Sequence, residues 1–228
     1  GGFVLAGGSG SGGAPCADVW SFEGSRWMRL GFELTYNPGV PNLTADPAGP
    51  GAIILYGNPS PGIARLTRSG IEYTGLPSVR GLVEPWAGSV VLDLARHRLL
   101  CVGALSPHLQ MEPVEQTVEF DGTRMERVRT RGSPGPRFEP DLAYDAHRER
   151  VVLFGGLRSL RPNTRCIDTW EYENGRWTLT DTRGIDTLSH GRIYYDPVQQ
   201  RILMIGACIG DDPRGPGRVW EYQPGESP

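Results

Sequence analysis

Three arginine–glycine pairs recur at matching places along the chain and are the first residues whose type and spacing suggest a chemistry. Arg80, Arg131 and Arg183 are each followed by glycine, and they lie 51 and 52 residues apart. A guanidinium group binds a carboxylate or phosphate through two parallel hydrogen bonds, so a rim of such groups would recognise an anionic ligand. The same recurrence fits a structural role, in which each arginine ties its loop to a nearby carboxylate such as Glu139.

Five further residues are candidates for the same binding surface. Arg158 and Arg161 add cationic groups in a long polar connection, and Trp86 offers an aromatic surface on which a sugar ring or a side chain would stack. Trp86 also suits a buried position between structural repeats. His190 and Arg192 lie at the start of an apolar strand, where polar side chains would line the centre of a repeat protein.

Composition excludes several other classes of function. The four histidines are scattered without ligand spacing, so we predict no metal and no cofactor. The net charge is −3, with 23 basic residues that are all arginine, which argues against a nucleic-acid partner. The longest apolar runs are strand-sized and fall short of the roughly 20 residues that a membrane-spanning helix needs, so we predict no membrane span.

A repeat runs through the chain and must position these residues. A short apolar strand ends in glycine five times, at spacings of 50, 46, 52 and 51 residues, at Gly7, Gly57, Gly103, Gly155 and Gly206. About ten residues after most of these glycines comes a strand with a large apolar residue. Those residues are Trp20, Leu66, Val118, Trp170 and Trp220. The repeat length of about 50 residues is typical of a propeller blade.

Each repeat carries the signals for four short strands, which we label a to d. Strand a ends in a pair such as Tyr144-Asp145, strand b ends at the glycine, strand c carries the large residue and strand d follows a glycine turn. In the second unit we place the end of strand a at Tyr36-Asn37, followed by an enlarged loop over 38–50. A sheet of this size cannot bury both faces alone, so packing the sheets around an axis, as in a β-propeller, would cover them.

The repeat resembles the kelch repeat, which has a double glycine after strand b, an aromatic residue in strand c and a glycine turn before strand d. The fourth unit, from Ala143-Tyr144-Asp145 through Gly155-Gly156 to Trp170 and Trp177, is especially similar to the bacterial form. The double glycine is otherwise complete only at Gly7-Gly8. The resemblance implies an all-β, kelch-type β-propeller of four-stranded antiparallel blades, and a fold of this kind does not specify a function.

We therefore predict a single β-propeller domain over 1–228 with about five blades. The approximate blade ranges are 1–31, 32–76, 86–129, 141–181 and 190–228. The first blade lacks strand a and the last lacks strand d, which leaves either a five-bladed ring with two short blades or an excised part of a larger ring. Because the chain begins without Met, we expect it to be a processed, trimmed or excised piece.

The cysteines suggest one cross-link. Cys16 and Cys166 hold the same place in their repeats, and Cys208 follows strand b of the fifth unit. If the ring closes at five blades, Cys208 would reach Cys166 or Cys16, although sequence alone does not fix the pairing. Such a bridge would favour an extracellular or periplasmic location, and the sequence otherwise leaves the compartment open.

Strand alternation places the b–c and d–a connections on one face, and most of the long connections belong to these two classes. Long loops on a rigid scaffold commonly bind ligands. We therefore predict a non-catalytic scaffold that binds a protein partner, such as an acidic segment or another domain of its parent chain, through this long-loop face. A carbohydrate ligand is also open.

The alternative is a carbohydrate-active kelch enzyme with its site at the mouth of the central channel. A similarity to a sialic-acid mutarotase would nominate Arg192, His190, Asp141 and Glu139. A similarity to galactose oxidase, a copper enzyme, would require two histidines, two tyrosines and a Tyr–Cys cross-link that converge at one place, and the sequence shows no such convergence. A broad surface of arginine and aromatic residues would favour binding, and a closed polar pocket would favour the enzyme.

Overall fold

The computed structural model describes residues 3–8, 10–14, 16–35, 42–56, 62–67, 69–75, 88–106, 112–182, 189–207 and 218–224. These residues form twenty β-strands and one short 3-10 turn at Ser11–Gly13. Within the same ranges, no helix has the length and apolar character that crossing a membrane requires.

Eighteen of the strands form five antiparallel sheets that follow one another along the chain. Blade 1 consists of β1 (Phe3–Ala6), β2 (Asp18–Glu23) and β3 (Arg26–Glu33). Blade 2 consists of β4 (Asn42–Ala45), β5 (Ala52–Tyr56), β6 (Gly62–Thr67) and β7 (Gly70–Gly75). Blade 3 consists of β8 (Ser89–Asp93), β9 (Arg98–Ser106), β10 (Glu112–Phe120) and β11 (Met125–Arg127).

The last two blades complete the set, with one additional hairpin. Blade 4 consists of β12 (Asp141–Asp145), β13 (Arg150–Phe154), β16 (Thr169–Glu173) and β17 (Arg176–Asp181). Blade 5 consists of β18 (Ser189–Asp196), β19 (Arg201–Ala207) and β20 (Arg218–Tyr222). Between β13 and β16, the strands β14 (Leu157–Leu160) and β15 (Asn163–Arg165) form a separate two-stranded sheet.

The sheets are arranged around an axis with their first strands innermost. Neighbouring blades meet along these strands, since β4 contacts β8, β8 contacts β12 and β12 contacts β18. The architecture is a five-bladed, all-β propeller, as predicted, and the first and last sheets have three strands each among the residues that are described.

The core lies between blades, because alternate residues of one strand point to opposite faces of a sheet. In β5, Ile54 packs into the cluster shared with blade 1, and its neighbour Ile53 packs into the cluster shared with blade 3. In blade 4, Leu153 faces blade 3 while Val152 faces blade 5. Each inner blade is therefore covered on both faces by its neighbours.

One strand differs from the sequence analysis. The first strand of blade 2 is β4, inside the predicted 38–50 loop, whereas Tyr36 and Asn37 lie outside the described residues. β4 ends where it does because the Asp46 carboxylate accepts a hydrogen bond from the Ala48 amide at 2.8 Å and so stabilises the turn. Asp93 and Asp145 follow the same rule in blades 3 and 4, where each bonds an amide three residues later.

Candidate functional site

The long connections share one face of the propeller, which we call the long-loop face. In blade 4, Asp141 pairs with Phe154, Phe154 with Thr169 and Thr169 with Asp181, so these four residues mark one end of the sheet. The b–c connection leaves from this end and the d–a connections reach it. The a–b and c–d turns lie at the opposite end and are short, as at 146–149 and 174–175.

The β14–β15 hairpin is the most strongly anchored projection on this face. Phe138 and Leu157 exchange two backbone hydrogen bonds of 2.8 Å, and the Cys166 amide donates to the Gly156 carbonyl at 2.8 Å. Ser159 Oγ donates to Glu112 Oε2 of blade 3 at 3.3 Å. Sequence analysis assigned this segment to a loop. It forms a hairpin that is fixed at its base and at one side.

Arg158 and Arg161 are carried by this hairpin. Arg158 belongs to β14, and Arg161 follows it at the tip, where its amide donates to Ser159 Oγ at 3.2 Å. Both side chains are exposed. Neither guanidinium forms an ion pair with a carboxylate in the described ranges. The hairpin therefore presents two cationic groups that are available to an anionic ligand.

An ion pair joins two innermost strands near the axis. Arg192 Nη1 of β18 donates to Asp141 Oδ1 at the start of β12, at 2.9 Å. The Asp141 side chain is 16% exposed and that of Arg192 is 55% exposed. Burial raises the pKa of Asp141, the charge and hydrogen bond of Arg192 oppose that rise, and the Glu139 carboxylate adds to it. Sequence analysis nominated this group, and the structure brings Asp141 and Arg192 into contact.

Glu139 has an unusual backbone beside this pair. Its φ is 47°, in the left-handed region. The other non-glycine residues with positive φ are His97, Glu149, Asn174 and Gln200, and all four lie in tight turns between adjacent strands. Glu139 instead lies in the long d–a connection, just before Pro140 and β12. A side chain is rarely held in this conformation away from a tight turn unless its surroundings fix it.

Arg137 is a buried arginine that the sequence analysis did not single out. Its side chain is 0% exposed. Nη1 donates to the Gly155 carbonyl at 2.8 Å and to Asp168 Oδ1 at 3.1 Å, and Nη2 donates to Asp168 Oδ2 at 3.2 Å and to the Pro134 carbonyl. The d–a connection is thereby fastened to blade 4 by a bidentate ion pair.

The carboxylate of that pair also orients the tryptophan of strand c. Trp170 Nε1 donates to Asp168 Oδ2 at 2.6 Å. Burial raises the pKa of Asp168, but the bonds from Arg137 and Trp170 outweigh it and hold this pKa below its usual range. Trp20 donates to Asp18 in the same way in blade 1. The Asp-x-Trp motif therefore shapes the b–c connection.

Arg131 lies at the other end of blade 4 from Arg158 and Arg161. Its amide donates to the Gly175 carbonyl at 2.9 Å and its carbonyl accepts from the Trp177 amide at 2.8 Å, beside the start of β17. The loop is tied here by its backbone, and the Arg131 side chain is exposed. Gly132 is required because its φ is 73° and a Cβ would lie 2.4 Å from the Trp177 carbonyl oxygen.

The remaining candidates keep the standing of predictions. Arg80, Trp86, Arg183 and Cys208 lie outside the described residues, and His190 is in β18 with its side chain outside them as well. Cys16 and Cys166 are free thiols, so a bridge to Cys208 stays a prediction. Cys101 is 1% exposed, and burial raises its pKa to about 12, so it is an apolar core residue at neutral pH. In the described ranges, His, Cys, Asp and Glu form no group of three suited to a metal ion.

On the opposite face, charged residues form an ordered network that sequence analysis also missed. Glu119 of β10 accepts from Arg96 Nη1 at 2.6 Å, and from the hydroxyl of Tyr172 in the next blade at 2.9 Å. One blade later, Glu171 accepts from Arg148 and, at 3.1 Å, from the Tyr222 hydroxyl. Each glutamate therefore joins its own a–b turn to the following sheet.

Blade 2 solves the same contact with other residues. Its position equivalent to Glu119 is Arg65, which donates to Asp46 at 2.8 Å and to the Gly122 carbonyl of blade 3. The facing position, where blade 4 has Tyr172, is Phe120, which has no hydroxyl to donate. The polar partner and its facing residue thus change together from one interface to the next.

A cleft of about 620 Å³ opens between blades 4 and 5 at this network. Its lining includes Arg148, Arg150, Glu171, Thr178 and Thr180. Arg148 and Arg150 are both paired with Glu171. The hydrogen bonds to Asp145 and Glu171 outweigh the burial of Arg148 and raise its pKa. The charges around the cleft already serve the interface, so we place the candidate site on the long-loop face.

Comparisons with known proteins agree with the fold. No protein-family model matches the sequence, and no curated protein matches it. YjhT, a solved structure, is similar over 96% of this chain and 81% of its own, with 12% identity and a TM-score of 0.65. A fungal alcohol oxidase of the AA5 family, solved with copper, is similar over 97% of this chain, with 12% identity and a TM-score of 0.65. The chain spans half the length of that oxidase. At this identity the similarity shows the propeller fold alone.

Proposed function

We propose that the protein is a non-catalytic propeller scaffold whose long-loop face binds an acidic segment of a protein. The observation that carries this proposal is the β14–β15 hairpin, which is anchored at its base and presents Arg158 and Arg161 to solvent. Held loops lose little conformational entropy on binding, which favours affinity. Arg192 stands on the same face with its side chain 55% exposed, and its pairing with Asp141 leaves it donors for a ligand carboxylate.

The proposal is tested with a fluorescently labelled oligoglutamate peptide and an oligolysine peptide of the same length. Anisotropy titrations compare the wild type with the double variant Arg158→Ala/Arg161→Ala. Hydrogen bonds to charged groups contribute about 1.5–3 kcal/mol each, so losing both arginines weakens oligoglutamate binding at least about tenfold. The control is Arg26→Ala/Arg124→Ala, which removes two exposed arginines at c–d turns on the other face.

Equal losses in the two double variants would mean that only net charge matters and would overturn the proposal. The wider rim is tested by the triple alanine variant of Arg80, Arg131 and Arg183. Unchanged oligoglutamate binding would remove these three from the site, and loss of folding would support their role in tying loops. Single variants Trp86→Ala and His190→Ala extend the test to the remaining candidates.

A second function is favoured by one specific observation, the carboxyl group of Asp141 near the axis. A raised pKa suits a general acid or base, and Arg192 would hold the carboxylate of a substrate such as sialic acid. In mutarotation, a base takes the proton of the anomeric hydroxyl, an acid protonates the ring oxygen, and the ring C–O bond opens. NMR exchange between sialic-acid anomers tests this: faster exchange that Asp141→Asn abolishes supports it, and an unchanged rate excludes it.

A further inference from the structure

Each blade interface uses a pair of residues from the following blade. In blade 3, Phe120 of β10 lies opposite Met125 of β11, and both pack on residues of blade 2. In blade 4, Tyr172 lies opposite Trp177, with the ring centroids 4.9 Å apart and the planes at 47°, and both pack on blade 3. All four side chains are at most 4% exposed.

Blade 1 has the same pair without a blade to cover it. Phe22 lies opposite Trp27, with the ring centroids 5.1 Å apart and the planes at 50°. Yet Trp27 is 48% exposed, and Phe3, which packs against Phe22, is 70% exposed. Leu5, on the same face of β1, is 54% exposed. We call Phe3, Leu5, Phe22 and Trp27 the leading face.

Blade 5 has the complementary surface, also uncovered. Tyr194, Ile205 and Val219 are 52%, 48% and 61% exposed. By strand register these three stand where blade 4 has Ala143, Phe154 and Thr169. In blade 4 that surface is covered: Ala143 is 5% exposed and belongs, with Phe154 at its edge, to the cluster shared with blade 5. We call Tyr194, Ile205 and Val219 the trailing face.

We propose that the leading face of one copy packs on the trailing face of a second copy, head to tail. Six of the nine large exposed hydrophobic residues in the described ranges lie on these two faces, and such concentration marks an interaction surface. The chain itself supplies both halves of a contact that it already makes four times between its own blades. A second copy is therefore the occupant that matches each face.

The two faces differ, so the contact is heterologous. One copy keeps a free leading face and the other a free trailing face after they associate, and further copies add at either end. Sedimentation velocity of the wild type then shows a mass that rises with concentration above the 24.9 kDa of one chain. This inference does not depend on the ligand of the long-loop face.

Two charge-introducing variants separate the faces. Trp27→Arg removes the leading face and Val219→Arg the trailing face, so each variant alone stays at the mass of one chain. Mixed in equal amounts, they retain one intact contact and form a dimer that cannot grow. The control is Val198→Arg, at a residue that is 88% exposed in the turn before β19 and that associates like the wild type.

Circular dichroism confirms that each variant is folded, and Ile205→Arg replaces Val219→Arg if the latter is not. A wild type that stays monomeric at all concentrations overturns the proposal. So does a mixture that stays monomeric while the wild type dimerises, because the interface would then be symmetric. A monomer in which Trp27 is protected from acrylamide quenching would show that the copy's own last blade covers the leading face, and it also overturns the proposal.

Discussion

Replacing Asp168 with asparagine is expected to destabilise the propeller through Arg137. The substitution keeps the size of the side chain and an oxygen that can accept the Trp170 indole bond. It removes the negative charge that faces the guanidinium at 3.1 and 3.2 Å. Arg137 is 0% exposed, so its charge would remain in the protein interior without a counter-ion.

The size of the effect follows from that burial. Removing one partner of a buried ion pair costs about 3–5 kcal/mol, because the other charge stays desolvated and unpaired. For a chain of this length, about 2–4 °C of melting temperature corresponds to 1 kcal/mol, so the midpoint is expected to fall by roughly 6–20 °C. The Asp168 pKa is lowered in the folded state, so this stabilisation is present above the unfolded value of about 3.9 and is lost as pH falls through the folded value.

The assay is thermal and urea unfolding followed by circular dichroism. Asp18→Asn is the matched control, because Asp18 accepts the same indole bond from Trp20 but pairs with no buried arginine in the described ranges. The double variant Arg137→Met/Asp168→Asn is expected to be no less stable than Arg137→Met alone. A loss below about 1 kcal/mol for Asp168→Asn, or full additivity in the double variant, would refute the argument.

Three further outcomes are expected from single substitutions. Gly132→Ala should cost about 1–3 kcal/mol in urea unfolding, since the residue has positive φ and its Cβ would meet the Trp177 carbonyl at 2.4 Å; wild-type stability would contradict this. Tyr172→Phe should cost about 1–2 kcal/mol by leaving Glu119 without the hydroxyl at 2.9 Å, and no change in the midpoint would show that the bond is unimportant. Asp141→Asn should be at least as stable as wild type at pH 7, because a raised pKa means that ionised Asp141 opposes folding; the difference should vanish below about pH 3.9, and a loss of stability at pH 7 would contradict it.

The sequence predicted the blades because the repeat is local. Trp170 and the Gly155-Gly156 pair recur with near-constant spacing, and the hydrophobic alternation in β13 specifies which side chains enter which interface. Asp46 stands five residues before Gly51, as Asp93 does before Arg98. That spacing was visible in the sequence and would have placed β4 correctly.

The polar contacts between blades were harder to predict, because they join residues about 50 positions apart in sequence. Arg96 and Glu119 are separated by 23 residues, as are Arg148 and Glu171, and this recurrence was the available signal. Arg137 gave no comparable signal, since its burial depends on the path of one d–a connection. Sequence alone does not show which loop residue a neighbouring sheet will cover.

The changing partners at successive interfaces also specify the order of the blades. Glu119 needs the hydroxyl that Tyr172 supplies, whereas Arg65 uses the Gly122 carbonyl and tolerates Phe120 across from it. A sheet docked out of turn during folding would bury a carboxylate against a phenyl ring. Sheets of nearly equal shape are thus made distinguishable to one another, and a recombined protein with permuted blades would have to exchange these residues as matched sets.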